Sequence, residues 1–334
     1  MRVLVVTNMY PDDRRPVYGE FVQEQVEALR RQGLELEVLF IDGQTTKRNY
    51  LTGFGRVRRA AAGRFDLLHA HYGLTGYLAV RQDRLPVVIT FHGDDLLGTP
   101  APGGGLTWKS RVARALGRRA ARRARANILV SEGMRDHLPD PATRRDAVVL
   151  PLGVDLERFR PLSREECCAR LRLDPARFRL LFAADPEVPR KRFGLACAAA
   201  AIVRREDPAV TLHVVSGRPP SEMPLHMNAS DALLLTSVHE GSPMVVKEAL
   251  ACNLPVVAVP AGDVAERLRG VAGCRVVPPD VEALAEGIRS RLREPVPIDG
   301  RAAVAHLSAE RVAAQVEEVY RRVLDGPCAG SAAC

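Results

Sequence analysis

Two glutamates in the C-terminal half have a spacing that suits an elongated, phosphate-bearing ligand. Glu240 leads into Gly241, Ser242 and Pro243, and Glu248 follows eight residues after the first glutamate. A strand-like apolar run precedes this turn and a helical pattern follows it, so backbone N–H groups at a helix N-terminus form a site for anions. Glu248 lies about two helical turns further on, on nearly the same face. The spacing predicts that the two carboxylates meet opposite ends of one ligand, with its phosphates between them.

This run resembles the donor-binding motif of retaining GT-B glycosyltransferases, especially family 4, in which seven residues separate two glutamates inside EG-x-P-x4-EA-x-A-x3-PV. The matching positions are Glu240, Gly241, Pro243, Glu248, Ala249, Ala251, Pro255 and Val256. The resemblance implies that Glu240 contacts the donor sugar and that Glu248 accepts hydrogen bonds from the ribose hydroxyls. It also implies that the backbone from Gly241 through Ser242 and Pro243 to Met244 binds the diphosphate. The alternative is an ordinary strand–turn–helix with two solvated glutamates.

Composition indicates a globular protein of two domains. The chain has 334 residues, of which 46% are hydrophobic, and no run of about 18 apolar residues that would predict a transmembrane helix. The N-terminus reads as a first buried strand rather than a signal peptide, so we expect a cytoplasmic location. The net charge is +8, and only four of the 48 basic residues are lysines. A basic surface favours anionic partners such as nucleotides, lipid headgroups or nucleic acid.

The cysteines favour neither a metal site nor a disulfide framework. Seven are present, without a Cys-x-x-Cys pair or histidines at ligand spacing. We therefore expect reduced thiols.

Apolar runs alternate with amphipathic stretches along the whole chain. Strands are predicted at 3–7, 36–41, 67–70, 87–91, 127–130, 148–150, 180–184, 212–216, 232–236 and 255–259. Helices are predicted at 19–32, 51–63, 75–83, 106–123, 193–205, 243–251, 263–269 and 281–293. This alternation predicts α/β structure: two Rossmann-like, doubly wound parallel-sheet domains, which in the GT-B fold face a cleft. We assign residues 1–155 and 165–305 to these domains, and expect a last helix at 308–324 to pack back on the first.

A basic motif follows the strand predicted at 180–184. Family members carry an Arg and a Lys here that bind the donor diphosphate, and Lys191 matches the Lys. Its charge would stabilise the leaving phosphate in the transition state. Asp185 occupies the usual Arg position, so either Arg190 or Arg192 supplies the second charge, or the donor is held differently. The alternative is that this segment is an ordinary solvated basic run.

Histidines end two strands predicted in the N-terminal half. His92 matches a family histidine that approaches the 6-hydroxyl of the sugar, and the acidic residue that often follows it is Asp94 or Asp95 here. His69 and His71 match the family's DvvH-x-H, and strand alternation points both to one face. We expect a structural or cleft-lining role for this pair, since no third metal ligand is evident.

The loop before the first helix contains a single glycine, Gly19, where the family has a Gly-rich loop that reaches the donor phosphates. Arg14 and Arg15 in this loop could meet an anionic acceptor, and a solvated loop is the alternative.

Residues 106–125 form an arginine-rich amphipathic segment. Arginines at 111, 114, 118, 122 and 125 share one face, and Val112, Leu116, Ala120 and Ala124 form the other. This pattern is typical of a surface helix that covers a sheet. The alternative is peripheral contact with an anionic membrane at its inner face.

Together these residues predict a glycosyltransferase that moves a sugar from a nucleotide-diphosphate donor to a saccharide or lipid-linked acceptor hydroxyl, with retained configuration. The resemblance implies His92, Glu240 and Lys191 as the catalytic residues and a reaction that needs no metal or other cofactor. It implies no nucleic-acid partner. The alternatives are a sugar-nucleotide epimerase or hydrolase of the same fold, an inactive member of the family, and a basic nucleic-acid-binding protein, for which no recognition motif is found.

Overall fold

The computed structural model describes residues 1–43, 45–99, 105–293 and 296–326. The chain divides into two compact units. The first contains Met1–Gly153 together with Ala309–Cys334, and the second contains Val154–Ser308. Each unit is built on one parallel β-sheet.

The first unit contains a six-stranded sheet with the strand order β2-β1-β3-β4-β5-β6. Its strands are β1 (Arg2–Thr7), β2 (Glu35–Phe40), β3 (Leu67–His71), β4 (Val87–Phe91), β5 (Ala126–Leu129) and β6 (Val148–Val149). Its helices up to residue 153 are α1 (Glu20–Arg31), α2 (Arg48–Ala60), α3 (Gly73–Ala79), α4 (Trp108–Ala121) and α5 (Pro141–Asp146), with a 3-10 helix at Glu132–His137. Strands β3 and β4 are buried along their full length, as expected for central parallel strands covered on both faces.

The second unit contains a five-stranded sheet with the order β11-β10-β9-β7-β8. Its strands are β7 (Phe178–Phe182), β8 (Val210–Val214), β9 (Ala232–Leu235), β10 (Val256–Ala258) and β11 (Arg275–Val276). Its helices are α6 (Arg164–Leu171), α7 (Phe193–Glu206), α8 (Met223–Asn228), α9 (Met244–Ala251), α10 (Val264–Arg267), α11 (Val281–Arg293) and α12 (Gly300–Val304). Short 3-10 helices lie at Pro189–Lys191, Pro220–Glu222 and Ala305–Leu307.

Helices cover both faces of the second sheet. Leu233 and Leu235 of β9 pack with α9 in one apolar cluster, whereas Leu234 between them packs with α7 and α11 in another. Successive strand residues point to opposite faces, so each strand contributes to both clusters. This is the doubly wound arrangement that the alternation of elements predicts.

The last helix, α13 (Ala309–Asp325), belongs to the first unit. Its buried residues Val312, Val316, Val319 and Val323 recur every three or four positions and form one apolar stripe. Near its start, the carbonyl oxygen of Glu310 accepts a hydrogen bond from the Gln32 side chain at 2.7 Å. The helix therefore packs beside α1.

The predicted faces of the basic segment at 106–125 are partly wrong. Helix α4 ends at Ala121, and Val112, predicted to be on the buried face, is 49% exposed. The buried positions are instead Ser110, Gly117, Ala120 and Ala121. The small Gly117 faces Gly73 of α3, where an added Cβ would come within 3.4 Å of the neighbouring backbone. Close packing against α3 therefore selects small residues rather than the larger aliphatic ones.

No helix in the part of the chain that the structure describes is both long and apolar enough to span a bilayer.

Candidate active site

Glu240 is the centre of a charged cluster at the carboxyl end of β9. Its Oε1 accepts hydrogen bonds from Lys191 Nζ at 2.6 Å and from the Arg190 guanidinium at 2.9 Å. The carboxylate side chain is only 11% exposed, and the two cations are 20% and 32% exposed. The structure thus brings Glu240 together with two adjacent cations that lie 50 and 49 positions before it in the sequence.

Burial alone would raise the pKa of Glu240, but the charges of Lys191 and Arg190 outweigh it and hold the net pKa below its usual range. The carboxylate is therefore ionised at neutral pH, and the cluster carries one net positive charge. An incoming anion would meet an excess of cationic hydrogen-bond donors.

The loop that carries the cations is fixed to the end of β9. Thr236 Oγ1 donates to the carbonyl oxygen of Lys191 at 2.6 Å, and the backbone N–H of Val238 donates to the carbonyl oxygen of Arg190 at 2.8 Å.

The Arg192 guanidinium turns the other way, because its Nε donates to the Thr236 carbonyl at 2.7 Å. Of the two candidates for the second cation, Arg190 is the one whose guanidinium binds Glu240 together with Lys191. Asp185 is exposed and accepts a local N–H bond from Glu187.

The turn after Glu240 rests on a buried polar network that the sequence analysis did not anticipate. Ser242 Oγ donates to Asp263 Oδ2 at 2.8 Å and lies 3.2 Å from Lys247 Nζ, and Arg267 Nε also donates to Asp263 at 3.1 Å. Lys247 has no exposed surface, and burial raises the pKa of Asp263. In the sequence, a lysine within the otherwise apolar start of α9 was the one indication of a buried polar network here. The network fixes the Ser242 side chain and with it the turn.

Gly262 allows the loop after β10 to pass against this turn. Its φ is +59°, and an added Cβ would lie 2.4 Å from the carbonyl oxygen of Gly241 and 2.8 Å from that of Glu240. Only glycine fits there. The loop that follows β10 therefore packs directly against the backbone of the predicted anion-binding turn.

Helix α9 begins at Met244, with Pro243 as its N-cap residue. Gly241, Ser242 and Pro243 are buried, whereas Met244 and Glu248 are half-buried. Met244 and Glu248 are four residues apart, so they lie on the same face one turn apart. Glu248 thus lies on the partly accessible side of the helix.

The carboxyl ends of β3 and β4 in the first unit hold a histidine cluster. His69 Nδ1 lies 2.6 Å from the Tyr320 hydroxyl and its Nε2 lies 2.7 Å from Thr90 Oγ1, so both ring nitrogens are used by the core. His71 Nδ1 lies 3.1 Å from His92 Nε2, and these two rings stack at 5.3 Å. Burial lowers the pKa of His71 to about 3, so it is neutral at physiological pH. His69 is structural, and His71 orients the half-buried His92.

Asp95 faces the backbone rather than an acceptor. Its carboxylate accepts hydrogen bonds from the N–H groups of His92 at 3.1 Å, Gly93 at 3.0 Å and Gly73 at 3.1 Å. It is 2% exposed, and burial raises its pKa to about 6. Asp95 therefore joins the loop that carries His92 to the start of α3.

Gly19 is the N-cap residue of α1 and adopts φ +76°. A Cβ there would lie 2.3 Å from the backbone carbon of Met9, so the glycine permits the loop after β1 to fold back on itself. Arg15 in this loop pairs with Asp12 at 2.5 Å and with Asp42 at 3.0 Å. Its charge is thus already neutralised within the unit.

Among the described residues, no group of three or more histidine, cysteine, aspartate or glutamate side chains is arranged to hold a metal ion. The five described cysteines are free thiols.

Comparisons with known proteins assign the family. A family profile described as Glycosyltransferase Family 4 matches residues 1–158, and one described as Glycosyl transferases group 1 matches residues 216–294. A D-inositol 3-phosphate glycosyltransferase of Frankia alni is 31% identical over 289 residues, which cover 72% of this chain and 69% of the relative. The chain belongs to glycosyltransferase family 4. This transferase is also 26% identical to Bacillus subtilis TuaC, whose name assigns it to teichuronic acid biosynthesis, over 352 residues covering 86% and 88% of the two chains. The resemblance seen in the sequence is confirmed.

Solved structures share the fold of the transferase. Sucrose-phosphate synthase from Thermosynechococcus elongatus superposes with a TM-score of 0.80 at 18% identity, covering 97% of this chain and 99% of the other. Anabaena Alr3699/HepE in complex with UDP superposes with a TM-score of 0.70 at 16% identity, covering 96% and 100%. The predicted fold class, two parallel-sheet α/β domains of the GT-B type, is confirmed.

Proposed function

We propose that this glycosyltransferase uses a nucleotide-diphosphate sugar and transfers the sugar to an acceptor hydroxyl with retention of the anomeric configuration. The observation that carries the proposal is the cluster of Lys191, Arg190 and Glu240 at the entrance to the α9 turn, with Glu248 further along the accessible face of that helix. A diphosphate between these carboxylates would meet both the cations of Lys191 and Arg190 and the backbone N–H donors of the turn before α9.

The cations have a role in both the resting and the reacting state. Without a donor, Glu240 satisfies the charges of Lys191 and Arg190. A bound diphosphate would share those two cations, and the Glu240 carboxylate could then accept hydrogen bonds from sugar hydroxyls. As the bond between the sugar and the phosphate breaks, negative charge grows on the diphosphate, and the fixed cations stabilise it. We propose that these side chains supply the charge neutralisation, so that the reaction needs no metal.

The bond changes in this reaction balance without a protein nucleophile. The glycosidic C1–O bond to the diphosphate breaks, and the acceptor oxygen bonds to C1 on the same face. The acceptor proton passes to an oxygen of the leaving diphosphate. We propose that His92 contacts the transferred sugar and that His71, neutral and 3.1 Å from it, sets its orientation.

The relatives indicate which donors and acceptors to test first. Alr3699/HepE was solved with UDP and with UDP-glucose, which makes UDP-sugars the first donors to test. The names of the relatives refer to teichuronic acid biosynthesis and to D-inositol 3-phosphate. We propose a saccharide or glycoconjugate acceptor in a biosynthetic pathway.

Calorimetry with UDP, GDP, ADP and dTDP tests the donor site directly. We expect one nucleotide to bind, and expect Glu248→Ala to weaken its binding at least about tenfold, because the sugar hydroxyls of the nucleoside lose a charged acceptor. Glu282→Ala, at an exposed position of α11 in the same unit, is the matched control and should leave the affinity unchanged.

Activity is then followed as nucleotide release from the corresponding sugar donor, and NMR of the product reports the anomeric configuration. Release without an acceptor and without sugar transfer would favour a hydrolase. If no nucleotide binds, or if Glu248→Ala and Glu282→Ala behave alike, the assignment of the donor site is wrong.

A further inference from the structure

A pocket on the outer strand β8 of the second unit shares no residue with the candidate active site. Its volume is about 490 Å³. The C-terminal end of α6, strand β8, the following loop and helix α8 contribute its walls, and the polar residues among them are Arg170, Arg172, His213, Arg218, Glu222 and His226. This volume lies in the range of small-molecule sites.

Two hydrogen-bonded histidines, His213 and His226, line this β8 pocket. His213 Nε2 and His226 Nδ1 lie 2.9 Å apart, so one ring donates and the other accepts. Burial is the main cause that lowers the pKa of His213 to about 4, with smaller effects from His226, Arg179 and Arg218, and burial also lowers the pKa of His226. Both rings are therefore neutral at physiological pH.

The second nitrogen of His226 has an unmet hydrogen-bonding requirement. The residue is only 6% exposed, and its Nε2 has no hydrogen-bond partner among the described residues. The nearest carboxylate oxygen, from Glu222, lies 3.9 Å away, beyond hydrogen-bonding distance. A buried polar atom left in this state costs about 1–3 kcal/mol. If His213 donates to His226, Nε2 carries a proton and requires an acceptor.

The charge of the pocket indicates which acceptor would suit it. Three guanidinium groups face one carboxylate, that of Glu222. In the described part of the chain, the guanidinium groups of Arg170, Arg172 and Arg218 make no hydrogen bond or ion pair with another side chain or carbonyl group. Arginine binds phosphate through pairs of parallel N–H bonds, and a phosphate oxygen would also accept a hydrogen bond from His226 Nε2 in the tautomer that is protonated there.

We propose that the β8 pocket binds a small phosphate monoester of about the size of a sugar phosphate. The phosphate group would lie among Arg170, Arg172 and Arg218 and accept the hydrogen bond from His226. The remaining volume would hold the uncharged part of the ligand against Leu173 and Leu225. The site is separate from the proposed donor site and does not depend on it.

Ring signals of His213 and His226 report on this pocket alone. The ¹⁵N-labelled protein is titrated with glucose 1-phosphate, with inorganic phosphate and with glucose, and His226→Gln assigns the signals. We expect glucose 1-phosphate to shift the His226 signal saturably, inorganic phosphate to bind at least about threefold more weakly, and glucose to have no effect.

Substitutions of the arginines test whether the guanidinium groups of the β8 pocket bind the phosphate. Arg218→Gln and, separately, Arg170→Gln should each raise the dissociation constant roughly tenfold, since each removes charge-assisted hydrogen bonds. Arg205→Gln, at an exposed position of α7 outside the pocket, should not. The proposal is overturned if the His226 signal does not move at millimolar glucose 1-phosphate, if inorganic phosphate binds equally well, or if Arg205→Gln weakens binding as much as the pocket variants.

Discussion

The Asp95 carboxylate offers the sharpest test of how the histidine loop is held. It is 2% exposed and accepts three backbone N–H bonds, from His92, Gly93 and Gly73. Asp95→Asn keeps the shape of the side chain but replaces one oxygen by an N–H₂ group. Because both carboxylate oxygens face backbone donors, the amide must direct its N–H₂ at one of them. We expect this contact to cost about 1–3 kcal/mol of unfolding free energy.

The pH dependence of this cost follows from the pKa of Asp95. Burial raises that pKa from the ordinary 3.8 to about 6, even though the N–H bonds oppose it. The folded protein therefore binds a proton more tightly than the unfolded chain does. Stability from this group is fully present below the unfolded pKa and is lost as the pH rises through the folded pKa. The full loss is about 3 kcal/mol, of which about 1.4 kcal/mol falls between about pH 5 and about pH 7.5.

Urea unfolding of the wild type and Asp95→Asn at these two pH values isolates the effect. Other titrating groups are common to both proteins and cancel in the difference. We expect the excess stability of the wild type over Asp95→Asn to be smaller by about 1.4 kcal/mol at the higher pH. Asp83→Asn, at an exposed position of the same unit, controls for the loss of one carboxylate.

A difference that stays constant within about 0.5 kcal/mol, or that grows with pH, would refute the reasoning. It would mean that the three N–H bonds outweigh burial and keep Asp95 ionised at about pH 5.

Two further substitutions test contacts that hold each unit together. Tyr320→Phe leaves His69 Nδ1 without its 2.6 Å partner, so we expect a loss of about 1–3 kcal/mol in urea unfolding, and an unchanged midpoint would show that the bond contributes nothing. Gly262→Ala adds a Cβ 2.4 Å from the Gly241 carbonyl oxygen at positive φ, so we expect it to lower the free energy of unfolding by more than a substitution at an open glycine of positive φ. Gly270→Ala also has positive φ but no atom within 4 Å, so it should cost only about 1–2 kcal/mol, and equal losses for both alanines would argue against the predicted clash.

Local pattern was enough to predict most elements of the fold, but not the two-residue strand β11 or the short helices α5, α6, α8 and α12. The alternation of apolar runs with amphipathic stretches reflects the two-residue period of strands and the 3.6-residue period of helices, and both are properties of neighbouring residues. The same holds for the Glu240 and Glu248 pair, since one turn and one helix connect them. The face of α4 was mispredicted at Val112 because its buried side depends on α3, a partner that is not adjacent in the chain.

The choice between Arg190 and Arg192 shows where local pattern ends. Both flank Lys191, and nothing in the sequence distinguishes them. Hydrogen bonds with Thr236 and Val238, in the segment that follows β9, hold this loop with Arg190 bonded to Glu240 and Arg192 bonded to the Thr236 carbonyl instead.

Residue types at short spacing were enough to identify the family, most of the elements in their order and the positions of the candidate ligand-binding carboxylates. The tertiary structure alone decided which distant side chains meet. Tyr320 reaches His69 across 251 positions, and Asp263 reaches Ser242 across 21. Such pairs carry no periodic signal, and they form only because burial makes an unpaired polar group costly once the sheets and helices have packed.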